Sequence, residues 1–211
     1  MTAQKILYVE SLNDEHVCYA LFKHYGVPDS FTVSSKDGLG NILKTLRLEL
    51  KKEDEDRLAY IGVLVDADRD PAGRWRELMR LLDRFGYVDL PNAPDAAGTI
   101  ITQADRPTLG IWLMPDNQLP GELEDFVQLL VPADDLLWPR AEQVVHAIPA
   151  DERRFPTHDL IKAMMHTWLA WQAEPGRPMG YAIRRGFLNP DVPQAERLIA
   201  WIRRLFLLES A

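Results

Sequence analysis

Three aspartates close the apolar run YIGVLVDADRD at residues 60–70, with Asp66, Asp68 and Asp70 at every second position. Residues i and i+2 of an extended chain point to the same side, so Asp66 and Asp68 leave the strand end as neighbours. Two such carboxylates repel each other. The pair is tolerated when one is protonated, when both reach water, or when a divalent cation lies between them. Hard oxygen donors of this kind suit Mg²⁺ or Mn²⁺. The competing use is helix capping: acidic side chains favour the start of the helix that Pro71 begins, and for Asp68 or Asp70 taken singly the two uses have equal claim. A second group of carboxylates comes from KILYVE at 5–10, where Glu10 ends the run and Asp14 follows four residues later. If these two segments are neighbours in one sheet, Glu10, Asp14, Asp66 and Asp68 converge, and that charge density calls for a metal.

The elements that must position these residues are legible as alternating periods. KILYVE reads as a buried strand and is followed by a helical pattern from Asn13 to Tyr25, with Asn13 as N-cap. FTVSSK at 31–36 alternates as a second strand. Leu39, Ile42, Leu43, Leu46 and Leu50 fall at helical spacing, and the charged tail after them reads as a solvated helix end. YIGVLVDAD is the third strand; Pro71 then opens a helix whose apolar face carries Trp75, Leu78, Met79, Leu82 and Phe85, closed by Gly86. Strand and helix in alternation predict an α/β fold with a mostly parallel sheet, flanked by helices on right-handed crossovers, and such sheets bind ligands at the carboxyl ends of their strands. Two further strands, GTIITQ and LGIWLMP, precede a helix at GELEDFVQLLV. From residue 133 the patterns DDLLWPRAEQVVHAI, HDLIKAMMHTWLAWQ and PQAERLIAWIRRLFLL are helical. We therefore read 1–132 as the α/β domain and 133–211 as a helical C-terminal extension packed on it.

With 46% hydrophobic residues in 211, the chain can bury a sizeable core. No apolar run approaches the roughly 20 residues of a membrane span, and MTAQKILYVE lacks the pattern of a signal peptide, so a cytoplasmic protein is the expectation. A single cysteine, Cys18, excludes a disulfide framework and a multi-cysteine zinc site. A net charge of −8 argues against gripping nucleic acid over the whole surface, although a local basic groove or a bound metal reverses the field where it matters.

The apolar-Val-Glu10-x-x-x-Asp14 context, followed some fifty residues later by apolar-Asp66-x-Asp68, resembles the Toprim domain of topoisomerases, primases and OLD-family nucleases. PDNQLPGELEDF places Glu124 at a helix start, similar to the third acidic motif of the OLD-related families, with Glu122 and Asp125 as flanking alternatives. Lys162 in HDLIKAMMHTWLAW sits where those families carry a basic residue. The overall likeness is to small stand-alone bacterial Toprim-like proteins. One departure is Ser11, where Toprim proteins usually have glycine. The resemblance implies Mg²⁺ or Mn²⁺ held by Glu10, Asp14, Asp66, Asp68 and Glu124, with Asp70 and Glu122 as additional candidates. It also implies that Glu10 acts as ligand or proton carrier, that Lys162 neutralises charge on the phosphate, and that phosphodiester bonds of DNA or RNA are hydrolysed, in some relatives beside a partner ATPase in defence against foreign DNA.

Two other classes stand beside that nuclease. One is a non-catalytic metal- or nucleotide-binding module, to which Ser11 lends support; the other is a convergent phosphoryl-transfer enzyme, for which DGLG at 37–40 is a poor phosphate loop. Arg153-Arg154, Arg184-Arg185 and Arg203-Arg204 are either a phosphate-binding rim or solvated helix faces, with Arg184 and Arg185 the chosen nucleic-acid contacts. Trp168, Trp171 and Trp201 read as core rather than base-stacking residues. His158 lies near Lys162 and His16 near Asp14 in sequence, neither with a ligand-like partner. The apolar C-terminal helices offer a surface for a homodimer.

Overall fold

The computed structural model describes residues 4–52 and 58–208. Five strands form one sheet in the order β2-β1-β3-β5-β4, built from β1 (Lys5–Val9), β2 (Thr32–Ser35), β3 (Tyr60–Asp66), β4 (Thr99–Ile101) and β5 (Thr108–Met114). β2, β1, β3 and β5 run parallel and β4 lies antiparallel at the edge. β1 and β3 pair in register from Lys5↔Tyr60 to Val9↔Leu64, so Glu10 and Asp66 emerge at the same sheet edge. Eight α-helices are present among the described residues: α1 (Leu12–His24), α2 (Leu39–Glu49), α3 (Pro71–Arg84), α4 (Leu123–Gln128), α5 (Trp138–His146), α6 (Leu160–Ala170), α7 (Met179–Arg184) and α8 (Pro193–Leu205). None is long and apolar enough to cross a membrane. The charged tail expected to prolong α2 falls partly on residues 53–57, outside the described residues.

Alternation along β3 divides the core in two. Ile61, Val63 and Val65 face α2 and α3 together with Trp75, Leu78 and Leu82, while Leu64 faces the layer that holds α1, α4, α6, α7 and α8. Each fully buried aliphatic side chain contributes about 1.5–3 kcal/mol against exposure, which explains why a strand covered on both faces reads as an unbroken apolar run. Gly62 and Gly110 are partners across β3 and β5; a Cβ on Gly110 would collide with Leu205, and one on Gly62 would collide with Leu7 and press on Leu205, so α8 lies directly on the sheet. The helices after residue 133 thus fill one face of the sheet and share its core, with Trp201 against Trp112 at 5.7 Å between ring centroids.

Three local readings are corrected. The N-cap of α1 is Ser11, not Asn13: the Ser11 N–H donates to Asp14 Oδ2 at 2.9 Å, and the Asp14 N–H donates back to Ser11 Oγ at 3.4 Å, a capping box that starts the helix earlier. Second, α7 is missing from the sequence reading, because the six residues Met179–Arg184 give too short a stretch for a helical period to show. Third, Asp68 is not a continuation of the strand. β3 ends at Asp66, and Asp68 turns into the left-handed region at φ 50°, so the i, i+2 alignment of the two aspartates does not hold.

Candidate active site

Glu10 is the first brace of the site. Its Oε1 accepts the Asp66 N–H at 3.0 Å and its Oε2 accepts the Leu39 N–H at 3.1 Å, so one side chain ties the ends of β1 and β3 to the start of α2. Burial and the charge of Asp68 push its carboxyl upward against these hydrogen bonds and Arg74, and the net shift is up. Asp14 enters from the first turn of α1, only 2% exposed, with Oδ2 held by Ser11 and Oδ1 buried without a partner. Burial lifts its pKa to about 6, against the Ser11 hydrogen bonds and helped by Glu10.

Asp66 sits at the centre. Its Oδ1 is also buried without a hydrogen-bond partner. Burial first, then the charges of Asp14, Glu10, Glu122 and Glu124, raise its pKa to about 9. Four carboxylates, Glu10 and Asp14 from the β1–α1 junction and Glu122 and Glu124 from the start of α4, therefore bear on one, and the connections between these segments keep them there. The Asp68 N–H donates to Gly121 O at 3.0 Å and the Gly121 N–H returns to Asp68 O at 2.8 Å, fastening the β3–α3 loop to the turn that leads into α4. The buried Asn117 shapes that turn by accepting the Leu113 N–H at 2.8 Å.

Cations stand at the borders. The Arg74 guanidinium donates from Nε to Asp66 O at 3.0 Å and from Nη2 to Asp68 Oδ2. Lys162 donates to Glu122 Oε2 at 2.5 Å and lies 3.8 Å from Glu124 Oε2. Partial burial opposes the Lys162 charge, but the hydrogen bond to Glu122 and the charges of Glu124, Glu122 and Asp159 outweigh it and hold the ammonium above its usual range. Glu124 is 6% exposed; its burial raises the carboxyl against the pull of Lys162, with His166 a further cation-side influence.

The fold therefore brings Glu10, Asp14, Asp66 and Glu124 together, with Asp68 and Glu122 beside them on Arg74 and Lys162. Asp70 is placed otherwise: it caps α3, accepting the Gly73 N–H at 2.8 Å. Asp125 accepts the Glu122 N–H at 2.8 Å, which leaves Glu124 as the carboxylate turned to the cluster. Arg184 and Arg185 lie at the end of α7, Arg185 3.5 Å from Glu174 and Arg184 stacked near Tyr181. Ser11 has φ −133°, extended backbone that any residue adopts, so no glycine is required there. Sequence reasoning missed Arg74; its one signal was an arginine four residues after the capping aspartate, on the first turn of α3. It missed His166 too, although Lys162 and His166 are four apart on α6 and share a face.

Whether the donors suit a divalent cation can be judged from the orphaned oxygens. Asp14 Oδ1 and Asp66 Oδ1 are buried acceptors without donors, and the surrounding donor set is carboxylate oxygen throughout, the chemistry of Mg²⁺ and Mn²⁺. Among the described residues no three His, Cys, Asp or Glu side chains are gathered tightly enough to hold a metal ion as they stand. Ligation would require side chains to turn inward, Asp68 and Glu122 first, since both are engaged by Arg74 and Lys162.

The fold matches solved structures over nearly its full length. The C-terminal region of the Burkholderia pseudomallei OLD protein is 15% identical at a TM-score of 0.51, covering 98% of this chain and 100% of that one. The C-terminal region of the Xanthomonas campestris pv. campestris OLD protein is 18% identical at a TM-score of 0.50, covering 99% and 98%. At such identities the likeness is one of fold. The chain belongs to the family described as "Protein of unknown function (DUF3226)", which matches residues 4–207. No match was found among curated proteins.

Proposed function

We propose that the chain is a divalent-cation-dependent, Toprim-type phosphodiesterase that cuts DNA or RNA. The observation that carries this reading is Asp66: a buried carboxylate with an unpartnered oxygen, pressed on by Asp14, Glu10, Glu122 and Glu124. Asp14, Asp66, Asp68 and Glu124 would hold Mg²⁺ or Mn²⁺, and Glu10 would brace Asp66 or join them. When bound, such a cation lowers the pKa of water and polarises a phosphoryl oxygen. Lys162, released from Glu122, would neutralise charge developing on the phosphate. Glu10, raised by burial, is suited to exchange a proton at its Oε2 once Leu39 no longer engages it. The binding-only reading drew on Ser11, whose extended backbone answers the argument from a positive φ and leaves the argument from close approach of a phosphate standing. By the same resemblance, the chain would work with an ATPase. Cleavage of a supercoiled plasmid and a labelled single strand in Mg²⁺ or Mn²⁺, compared with Asp66→Ala and Glu10→Ala, tests the reading. Cation-dependent cutting lost in both variants supports it; a folded protein whose melting temperature ignores Mn²⁺ overturns it.

A further inference from the structure

A cleft of about 620 Å³ opens beside the acidic centre, between the loop after β3 and the turn before α4, and is lined by Asp68, Arg69, Gly121, Glu122 and His158. The four carboxylates that line it are already engaged. Asp68 is paired with Arg74, Glu122 with Lys162, Asp70 caps α3 and Asp125 caps Glu122. Arg69 differs. Its hydrogen-bond partner among the described residues is the ring of His158, with Nη2 donating to Nδ1, rather than a carboxylate. A guanidinium facing an imidazole keeps its charge for a ligand, and accepting at Nδ1 leaves the proton of the neutral ring on Nε2, which lies 3.8 Å from Asp159 Oδ1. Both side chains are exposed, both border the cleft, and Asp68 is one residue from Arg69.

We infer that Arg69 and His158 form a phosphate subsite that holds a nucleic-acid strand next to the bond presented to the acidic centre. This rests on the phosphodiesterase reading and sharpens it. The Arg69 guanidinium suits a phosphate in the fork geometry that arginine favours, with His158 orienting it through Nδ1, and a pocket of this size accepts a ligand of one or two nucleotides. A strand threaded as separate nucleotides fits such a cleft. Arg69 and His158 are positioning residues.

The test measures binding of a fluorescent five-nucleotide strand in Ca²⁺, with Mg²⁺ withheld, for wild type, Arg69→Ala, Arg69→Lys, His158→Ala and the remote control Arg47→Ala. Arg69→Ala is expected to weaken binding about tenfold and to lower the slope of log affinity against log salt by about 0.7, with Arg47→Ala unchanged. Arg69→Lys should fall between, because it keeps the charge and loses the fork. Melting temperatures equal to wild type would show that the exposed variants fold. Inorganic phosphate or a mononucleotide that competes as well as the strand would overturn a strand subsite. Wild type that fails to bind the strand, or Arg69→Ala with unaltered affinity and slope, also overturns it. Binding that depends on Arg69 in a protein that never cuts would uphold the subsite and defeat the hydrolase reading; cutting by Arg69→Ala with KM unchanged would do the reverse.

Discussion

Glu10 and Asp66, 56 residues apart in the chain, are joined at the carboxyl edge of the sheet by a hydrogen bond of 3.0 Å from the Asp66 N–H to Glu10 Oε1. The same carboxylate accepts the Leu39 N–H at 3.1 Å, so β1, β3 and α2 meet on one side chain. Removing it strands two backbone donors in a half-buried place, and an unsatisfied buried donor costs about 1–3 kcal/mol. Glu10→Ala is therefore expected to lose about 2 kcal/mol or more, and Glu10→Gln, which keeps one acceptor oxygen, less than half of that. Urea titrations should show the midpoint falling at unchanged slope; equal stability for Glu10→Ala and wild type would show the brace to be idle.

The carboxyl groups of Asp66 and Asp14 are raised to about 9 and about 6 from ordinary values near 3.8. A group whose folded pKa lies above its unfolded value binds more protons in the native state, so its contribution is fully present below the unfolded pKa and is lost as pH rises through the folded one. In EDTA the protein should accordingly lose stability between about pH 4 and pH 9, by several kcal/mol at about 1.4 kcal/mol per pKa unit. Asp66→Asn should melt higher than wild type at pH 8 without divalent cations and, with Asp66 the ligand proposed above, should show no rise in melting temperature on addition of Mn²⁺. A wild-type melting temperature that climbs from pH 5 to pH 8 in EDTA would contradict this origin of the shift.

How far the sequence reveals this site depends on the kind of signal. Glu10 and Asp66 end apolar runs, and period-2 strands locate run ends well; their convergence then needed only β1 beside β3, which the βαβ handedness makes a natural arrangement. Asp68 and Asp70 were ambiguous for a physical reason. A carboxylate before a proline-initiated helix looks the same as cap and as ligand, and the left-handed turn at Asp68 with its bridge to Gly121 is a tertiary contact 53 positions away. Arg74 and His166 were missed because their roles arise from which side chains their helices bring near, and neither helix carries an unusual pattern.

Ser11 stands where the resembled Toprim proteins usually have glycine, and here its hydroxyl and N–H both donate to Asp14 Oδ2. Ser11→Ala removes the cap oxygen and one donor to a buried carboxylate, so a loss of about 1 kcal/mol is expected. Ser11→Gly should cost only a few tenths by the capping scale, since glycine tolerates the cap position, with the added effect of a looser Asp14. Thermal melts of the two variants in EDTA decide this. A larger loss for glycine than for alanine would mean that the backbone at residue 11 is under conformational demand.

Lys162 sits between Glu122 at 2.5 Å and Glu124 at 3.8 Å, and its charge lowers the otherwise raised carboxyl of Glu124. Lys162→Met keeps the length of the stem and deletes the cation, so two adjacent carboxylates are left facing each other and Asp66. The variant should lose about 1–3 kcal/mol at pH 8 in EDTA, with the loss shrinking toward pH 4 as the carboxylates take up protons. Divalent cations should compensate: with Glu122 no longer held by an ammonium, Mn²⁺ binding read by calorimetry should tighten rather than weaken, while cutting, in which the ammonium is proposed to act at the phosphate, should drop by about a hundredfold. Tighter Mn²⁺ binding with lost activity separates a neutralising role from ligand support. Weaker Mn²⁺ binding in Lys162→Met would mean that the lysine holds Glu122 and Glu124 in the arrangement the ion requires, and its place would then be in assembling the site rather than in stabilising the phosphate.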